Sequence, residues 1–407
     1  MISHHGARHV HNQQSRFDLA YEAEQKAVLN QQAYVTMRSE ITSWPGYAPT
    51  PLVPLPGLAK QLGVGEIFYK DESKRFKLKS FKALGGAYAV LRVIQQRLAE
   101  AGHGRVTAGD LISGKYRALV SDITVAAATD GNHGRSVAWG AEMFGARCVI
   151  YLHAHVSQSR EDEIARFGAR IARVPGSYDD SVRQCAEDAI RNRWNLVADT
   201  NAGGGDASVP SMVMQGYTLM VAEFMEQLDG RIPSHVFVQG GVGGIAAAVA
   251  GHLWETLGGK RPRIVVVEPQ RADCIYRSIA AGKPTPVEGD VNTFMACLAA
   301  GEISPLAWPI LRHAADDVLA IPDQAAPDSM RLLAEGRGGD TPIVSGESGC
   351  AAIAGLIEAV ADDTLRVKLA LKPGSLIVAI GSEGDTDAAT YEKVVGRSGS
   401  AVERLAS

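Results

Sequence analysis

The chain has 407 residues, of which 46% are hydrophobic and 21% charged, an ordinary composition for a folded protein long enough to form two domains. A formal net charge of −4 excludes the basic surface of nucleic-acid-binding proteins, and no apolar run is long enough to cross a membrane. The five cysteines are scattered without a CxxC pair, so we expect reduced thiols in the cytoplasm rather than disulfides or a zinc site.

The first 44 residues say little about function. They lack the apolar core of a secretory signal. Four histidines, His4, His5, His9 and His11, have no thiol or carboxylate near them in the sequence that would complete a metal site. We therefore predict a leader and extension over residues 1–44, beginning with a flexible polar segment.

From residue 45 onward, short apolar strands alternate with helical segments, which is typical of a parallel sheet in an α/β fold. The predicted strands are 66–70, 123–128, 147–152, 170–174, 196–199, 235–239, 263–268 and 375–380. The predicted helices are 80–101, 133–144, 160–167, 179–192, 214–228 and 244–257. A glycine-rich break at 201–208 indicates a domain crossing. We predict two open α/β domains, a large one from 45–88 and 205–407 and a small one from 89–204.

A glycine loop follows the predicted strand 235–239 and precedes a helix. Its residues are Gly240, Gly241, Val242, Gly243 and Gly244. Backbone amides of such a loop, together with the helix N-terminus, favour an anion, so phosphate is the natural ligand. A dinucleotide fold also uses a glycine turn after a strand, and a tight turn without a ligand has the same pattern.

Lys82 lies near the start of a predicted helix and is followed by Gly85 and Gly86, which indicate a close approach to the backbone. A lysine amine condenses with the aldehyde of pyridoxal phosphate, and that cofactor accepts electrons from a carbanion at the α-carbon of an amino acid. A solvated surface lysine is the alternative. Together with the glycine loop, Lys82 predicts a pyridoxal-phosphate site in which Asn132 faces the ring.

Three further polar residues are candidates. Asp130 lies in the turn before a helix, where an N-terminal cap is the better interpretation of the residue alone, and the same caution applies to Asp199 after its short strand. Ser382 follows a strand and its hydroxyl can meet the pyridine nitrogen, with Ser348 as a rival. No metal site is predicted, because the pair at positions 153 and 155 lacks a third ligand.

Four motifs resemble the diaminopropionate ammonia-lyase family: SFKALGG at 80–86, ATDGNHGR at 128–135, QGGVGG at 239–244 and SEGDTD at 382–387. The likeness extends from about residue 45 to about residue 396. This family belongs to the fold type II pyridoxal-phosphate enzymes, the group of tryptophan synthase β and threonine dehydratase. The resemblance implies a tryptophan synthase β-like architecture, an active site in the cleft between two α/β domains, and a homodimer.

The resemblance also implies the roles of the site residues. Lys82 would hold the cofactor and remove the α-proton of an L-substrate, and Asp130 would remove it from a D-substrate. Asp199 would face the distal amine of 2,3-diaminopropionate, which loses ammonia and ends as pyruvate. The turn that would bind the substrate comprises Thr129, Asp130, Gly131 and His133.

The chain departs from the family pattern at four places. Lys77 and Cys297 stand where a glycine is usual, Gly381-Ser382 replaces Ser-Thr, and residues 200–205 are smaller than in relatives. The last difference leaves open an N-substituted 2,3-diamino acid as substrate. A serine or threonine dehydratase-like lyase is a further alternative, although Asp130 argues against it. A dinucleotide-dependent oxidoreductase, with Glu268 on the ribose, is the alternative from another class.

Overall fold

A computed structural model describes residues 4–129, 131–200 and 207–406. The strands are β1 Arg8–His11, β2 Leu52–Pro54, β3 Glu66–Asp71, β4 Thr124–Ala128, β5 Arg147–His153, β6 Arg170–Val174, β7 Asn195–Leu196, β8 His235–Gln239, β9 Arg263–Pro269, β10 Asp317–Ile321 and β11 Leu376–Gly381.

The helices lie between these strands and at the C-terminal end. They are α1 Ala23–Lys26, α2 Gln31–Ile41, α3 Pro56–Leu62, α4 Lys82–Glu100, α5 Ala108–Ile112, α6 Arg117–Val120, α7 Asn132–Phe144, α8 Gln158–Ala165, α9 Tyr178–Asn192, α10 Ser208–Gln227, α11 Gly244–Leu257, α12 Cys274–Ala281, α13 Trp308–Ala314, α14 Ala325–Glu335, α15 Ala351–Ala361, α16 Asp363–Lys368, α17 Ala388–Val395 and α18 Gly399–Ala406. Short 3₁₀ segments are Glu72–Lys77, Gly258–Lys260, Ala296–Leu298 and Arg337–Gly339. Among the helices that the structure describes, none combines the length and apolar character needed to span a membrane.

The chain divides into two compact units. The first contains the described residues of 1–30, 49–80 and 220–407, and the second those of 31–48 and 81–219. Helix α4 belongs wholly to the second unit, whereas the predicted domain boundary falls at residue 88. The predicted domain ranges stay a prediction.

The described residues of the first unit form a seven-stranded sheet in the order β1-β10-β9-β8-β11-β3-β2. The five inner strands run parallel, and the two edge strands, β1 and β2, pair antiparallel to their neighbours. Every residue of β8 is buried, as expected for a parallel strand covered on both faces. The apolar helix α15 packs against the inner strands β8, β9, β10 and β11. Strands β2 and β10 were missing from the sequence prediction.

The prediction of a flexible polar leader was wrong, because the N-terminal segment belongs to the first unit. Strand β1 pairs residue by residue with β10. The buried carboxylate of Glu358 accepts hydrogen bonds from the backbone amides of His5 and Gly6 at 2.9 to 3.1 Å. His9 lies 2.8 Å from Asp317. These carboxylates lie more than 300 residues away along the chain, so the local sequence gives no sign of them.

The described residues of the second unit form a parallel sheet in the order β6-β5-β4-β7. Strand β7 ends at Leu196, so the predicted strand 196–199 was wrong and Asp199 lies in the following loop. Helices α4 and α7 pack closely through small residues. A Cβ atom at Gly86 would lie 2.6 Å from the Ser136 hydroxyl, and one at Gly85 would collide with the Tyr217 ring. The glycines after Lys82 therefore permit close packing, as the sequence indicates.

Candidate active site

Lys82 is the first residue of α4, and its amine is held by a carboxylate and aromatic rings. The Nζ atom donates a hydrogen bond to Oδ2 of Asp199 at 2.6 Å. It lies 5.4 Å from the centroid of the Phe81 ring and 5.8 Å from that of Tyr217, within the range of cation–π attraction. The Lys82 side chain is 23% exposed and that of Asp199 is 19% exposed. This environment excludes the alternative of a solvated surface lysine.

Asp199 is ionised in this pair. Burial by itself would raise the pKa of its carboxyl, but the charge and hydrogen bond of Lys82, together with the nearby His133, outweigh burial, and the pKa falls well below its ordinary value. The ion pair therefore persists across the physiological pH range.

His133 lies near the same carboxylate oxygen of Asp199 that Lys82 contacts. Its Nε2 atom lies 2.8 Å from the carbonyl oxygen of Val197, a bond that requires the proton on Nε2. Burial lowers the pKa of the imidazole, so the ring is neutral at pH 7. The Nδ1 atom, 4.0 Å from Oδ2 of Asp199, then carries a lone pair and has no hydrogen-bond partner among the described residues.

The turn before α7 is shaped by Thr129. Its hydroxyl oxygen accepts hydrogen bonds from the amides of Gly131 at 3.0 Å and Gly134 at 3.1 Å. Asn132 opens the helix, and its Oδ1 atom accepts a hydrogen bond from Arg135 at 2.9 Å, which directs the amide nitrogen Nδ2 the other way. Asp130 lies outside the described residues, as do residues 201–206 after Asp199.

In the first unit, the loop from Gly240 to Gly244 presents backbone amides at the start of α11. The amides of Gly241, Val242 and Gly244 donate to no acceptor in the part of the chain that the structure describes. Any side chain at position 240 would collide with Glu268, because a Cβ atom there would lie 2.6 Å from Cγ of that residue. Amides without acceptors next to a helix N-terminus are suited to a phosphate group.

Ser382 comes directly after β11 and is buried. Its hydroxyl makes no hydrogen bond to any described residue, so it is available to a ligand. The hydroxyl oxygen of the rival Ser348 accepts a hydrogen bond from the amide of Cys297 at 3.0 Å and keeps its proton to donate, so Ser348 stays an alternative.

Pyridoxal phosphate fits the residues present. The cofactor needs an amine for its aldehyde, amides for its phosphate and a hydrogen-bonding group for its ring nitrogen, and Lys82, the glycine loop and Ser382 provide groups of these kinds. Tyr217 and Phe81, which flank the amine, were not singled out from the sequence as site residues. Their aromatic character alone gives no sign that they are near a lysine.

Glu268 does not fit the role that a dinucleotide site would give it. Its side chain is fully buried, and its two oxygens accept hydrogen bonds from the amides of Ile275 at 3.0 Å and Tyr276 at 2.8 Å. It therefore caps the start of α12 and is not open to a ribose. The alternative of a dinucleotide-dependent oxidoreductase therefore lacks the acidic residue that would bind the ribose.

No group of three or more His, Cys, Asp or Glu side chains in the described ranges is arranged to hold a metal ion. The rings of His153 and His155 lie 5.8 Å apart, centroid to centroid, and the amide of His155 donates to Nδ1 of His153.

Comparison with known proteins identifies the family of this chain. The family model described as pyridoxal-phosphate dependent enzyme matches residues 43–383. The diaminopropionate ammonia-lyase of Escherichia coli (strain K12) is 41% identical over 358 residues, which cover 86% of this chain and 88% of that protein. The chain belongs to the diaminopropionate ammonia-lyase family.

Two crystal structures of the E. coli member of the diaminopropionate ammonia-lyase family superpose well on this chain. The holo form matches with a TM-score of 0.87 and 36% identity, covering 97% of this chain and 98% of that one. The form with an aminoacrylate–pyridoxal-phosphate azomethine intermediate matches with a TM-score of 0.85 and 36% identity, covering 96% and 97%. The predicted fold class, a fold type II α/β enzyme with two sheets, is confirmed.

The backbone conformation at position 77 explains why glycine is usual there in the family. Lys77, which replaces a glycine, adopts a φ of +60°, and the nearby Phe76 and Lys79 have φ of +48° and +55°. Left-handed backbone is where glycine is favoured, so this chain carries a non-glycine residue in a conformation that disfavours it. Cys297 has no such conformation, and nothing in the structure explains its replacement of glycine.

Proposed function

We propose that this chain is a pyridoxal-phosphate-dependent ammonia-lyase acting on 2,3-diaminopropionate, in the D form, the L form or both. One substrate molecule and one water give pyruvate and two molecules of ammonia. The observation that carries this proposal is the contact of Lys82 with Asp199 at 2.6 Å, which places a carboxylate beside the amine that would hold the cofactor.

Bound pyridoxal phosphate supplies an electron sink for the negative charge that develops at the α-carbon. Lys82 would hold the cofactor through its aldehyde and take the α-proton of the L-substrate. The amides of the glycine loop would bind the phosphate, and Nδ2 of Asn132 would donate to the ring oxygen. Ser382 would face the ring nitrogen as a neutral partner, which moderates electron withdrawal and favours elimination over transamination.

Asp199 would select the substrate by its charge. The distal ammonium of 2,3-diaminopropionate would donate a charge-assisted hydrogen bond to this ionised carboxylate, and Asp199 would hold the group in the protonated form in which it leaves as ammonia. The neutral His133, with its lone pair on Nδ1, would accept a second hydrogen bond from the same ammonium group.

The remaining roles come from the family resemblance. Asp130 would take the α-proton of the D-substrate from the opposite face, and the turn of Thr129, Gly131 and His133 would bind the substrate carboxylate. Residues 201–206 lie next to Asp199 in the sequence and include three glycines. This composition favours an N-substituted 2,3-diamino acid as the second candidate substrate.

The test is pyruvate release by the purified holoenzyme from D- and L-2,3-diaminopropionate, with D- and L-serine beside them. We expect release from diaminopropionate, and Asp130→Asn should reduce activity on the D form more than on the L form. Yellow absorbance that borohydride bleaches reports whether the cofactor is joined to a lysine, and Lys82→Ala should abolish it. Release from serine alone would assign a dehydratase, and bound cofactor with no release from any of these would favour the N-substituted substrate.

We also propose that the protein works as a homodimer in the cytoplasm. The scattered free cysteines support a reducing compartment. Light scattering coupled to size-exclusion chromatography tests the dimer, since a monomeric mass of 43.2 kDa would contradict it. Cell fractionation tests the compartment.

A further inference from the structure

The glycine loop rests on two buried side chains that have no part in the proposed reaction. Glu268, at the end of β9, lies directly behind Gly240. Cys274, the first residue of α12, is fully buried, with its Sγ atom 3.5 Å from the carbonyl oxygen of Gly241 and 3.6 Å from Oε1 of Glu268. The sulfur thus bridges the loop to the carboxyl group.

The thiol has a proton to donate. Burial raises the pKa of Cys274 well above its ordinary value, so the sulfur stays protonated. Burial also raises the pKa of Glu268 to about 8, although the amides of Ile275 and Tyr276 oppose this rise. The thiol can donate its proton to the Gly241 carbonyl or to Oε1 of Glu268, and a protonated Glu268 leaves no negative charge behind the loop.

Because the peptide between Gly241 and Val242 is planar, the contact of Cys274 with the Gly241 carbonyl also sets the direction of the Val242 amide. In a trans peptide the carbonyl and the N–H point opposite ways. The Gly241 carbonyl turns towards Cys274, so the N–H of Val242 turns away from α12, and it has no acceptor among the described residues. The amide of Gly243 donates to the carbonyl of Gly240 at 3.1 Å. In the peptide between Gly240 and Gly241, the N–H of Gly241 therefore points away from Gly243. The contact at Cys274 comes from a side chain outside the loop, so the loop alone does not fix the direction of the Val242 amide.

We propose that Cys274, supported by Glu268, is a positioning residue that directs the Val242 amide towards the cofactor phosphate. This inference rests on the proposed function, since it takes the phosphate of pyridoxal phosphate to be the anion at the loop. It assigns a buried thiol, which has no part in the proposed reaction, to cofactor binding.

The test compares Cys274→Ala with Cys274→Ser, which keeps a hydrogen-bond donor. Holoenzyme is dialysed to equilibrium against graded concentrations of pyridoxal phosphate and, separately, of pyridoxal, which lacks the phosphate. We expect Cys274→Ala to weaken pyridoxal-phosphate binding about tenfold, the value of one lost hydrogen bond, and to leave pyridoxal binding unchanged. Cys274→Ser should stay within about threefold of the wild type, and Cys185→Ala, a buried thiol of the second unit, should bind both as the wild type does.

Equal weakening of both ligands, or no weakening of either, would overturn the positioning role. The wild type separates this result from a failure of the proposed function, because a wild type that binds no pyridoxal phosphate overturns both. If the alanine variant does not fold, wild-type protein labelled with ¹⁵N-valine gives the answer. The Val242 amide resonance, assigned by its loss in Val242→Ala, should shift with pyridoxal phosphate and not with pyridoxal, and an unmoved resonance contradicts the proposal.

Discussion

The phenol ring of Tyr69 fills the space that a Cβ atom at Gly381 would need. An added Cβ atom would collide with the Cζ, Cε1 and Oη atoms of that ring. Tyr69 is fully buried, and its hydroxyl donates to Ser345 at 2.7 Å, so the ring cannot move aside without losing that bond. Gly381, which replaces the serine of the family pattern, therefore leaves the space that the Tyr69 ring on the neighbouring strand β3 occupies.

This relationship predicts compensation between positions 69 and 381. Gly381→Ser should lower the free energy of unfolding by about 1–3 kcal/mol through overpacking. The double variant with Tyr69→Val should cost less than the sum of the two single changes, because the ring that the new side chain would meet is removed. Urea denaturation of the two single variants and the double variant gives the coupling, and strictly additive costs would contradict the collision.

The ion pair of Lys82 with Asp199 predicts a change in substrate preference. Asp199→Asn removes the charge that would hold the distal ammonium, so kcat/KM for 2,3-diaminopropionate should fall about 10- to 100-fold, the worth of a charge-assisted hydrogen bond. Activity on serine, which has no distal amine, should fall much less. The exposed Asp122→Asn serves as the control. An equal loss on both substrates would show that Asp199 acts through Lys82 and not on the distal amine.

The left-handed backbone of Lys77 predicts a stabilising substitution. Its side chain is exposed, so Lys77→Gly removes strain at φ +60° without leaving a cavity. We expect the free energy of unfolding to rise by about 0.5–1 kcal/mol. The neighbouring Lys74, also exposed but without positive φ, is the control, since Lys74→Gly should not stabilise. Thermal or urea unfolding that shows the same change for both would contradict the backbone explanation.

A buried charge network in the first unit predicts a large loss of stability. The carboxylate of Glu223 accepts hydrogen bonds from Lys70 at 2.8 Å and from Arg75 at 2.6 and 2.7 Å, and all three side chains are at most 2% exposed. Glu223→Gln leaves two buried cations short of negative charge and should cost about 3–5 kcal/mol. The half-exposed pair of Glu66 with Arg231 is the control, since Glu66→Gln should cost at most about 1 kcal/mol in the same urea titration.

Glu268 predicts a pH dependence of stability. Burial raises the pKa of its carboxyl to about 8 in the folded protein, from an ordinary value of 4.5, with Asp273 and Cys274 as the ionisable groups beside it. The folded state therefore holds a proton that the unfolded state has released between these two values. The stability due to this group is complete below about pH 4.5 and is lost as the pH rises through about 8, by at most about 1.4 kcal/mol per pH unit.

Glu268→Gln isolates this effect, since glutamine does not titrate. Urea unfolding at about pH 5 and about pH 8, at matched cofactor content, should show the wild type losing more stability than the variant. Glutamine places its NH₂ group against the backbone amide of Ile275 or Tyr276, which also donates. We therefore expect the free energy of unfolding of the variant to differ from that of the wild type by an amount that does not change with pH. Parallel slopes would contradict a protonated Glu268.

The sequence predicts what depends on local periodicity and short motifs. The inner strands β8, β9 and β11 and the helix that starts at Lys82 lie where their apolar spacing places them. The edge strand β1 was missed because its stability comes from Glu358 and Asp317, which only the folded chain brings near. Tyr217 was missed as a site residue for the same reason, since its ring reaches Lys82 from a helix that begins 126 residues later.

The position of β1 has a consequence for handling the protein. Strand β10, whose five residues are all buried, would become a bare sheet edge without β1. An uncovered edge of apolar residues is a template for pairing with other chains. A purification tag or truncation that displaces residues 4–11 should therefore promote aggregation, while the same tag at the C-terminal end leaves this edge covered.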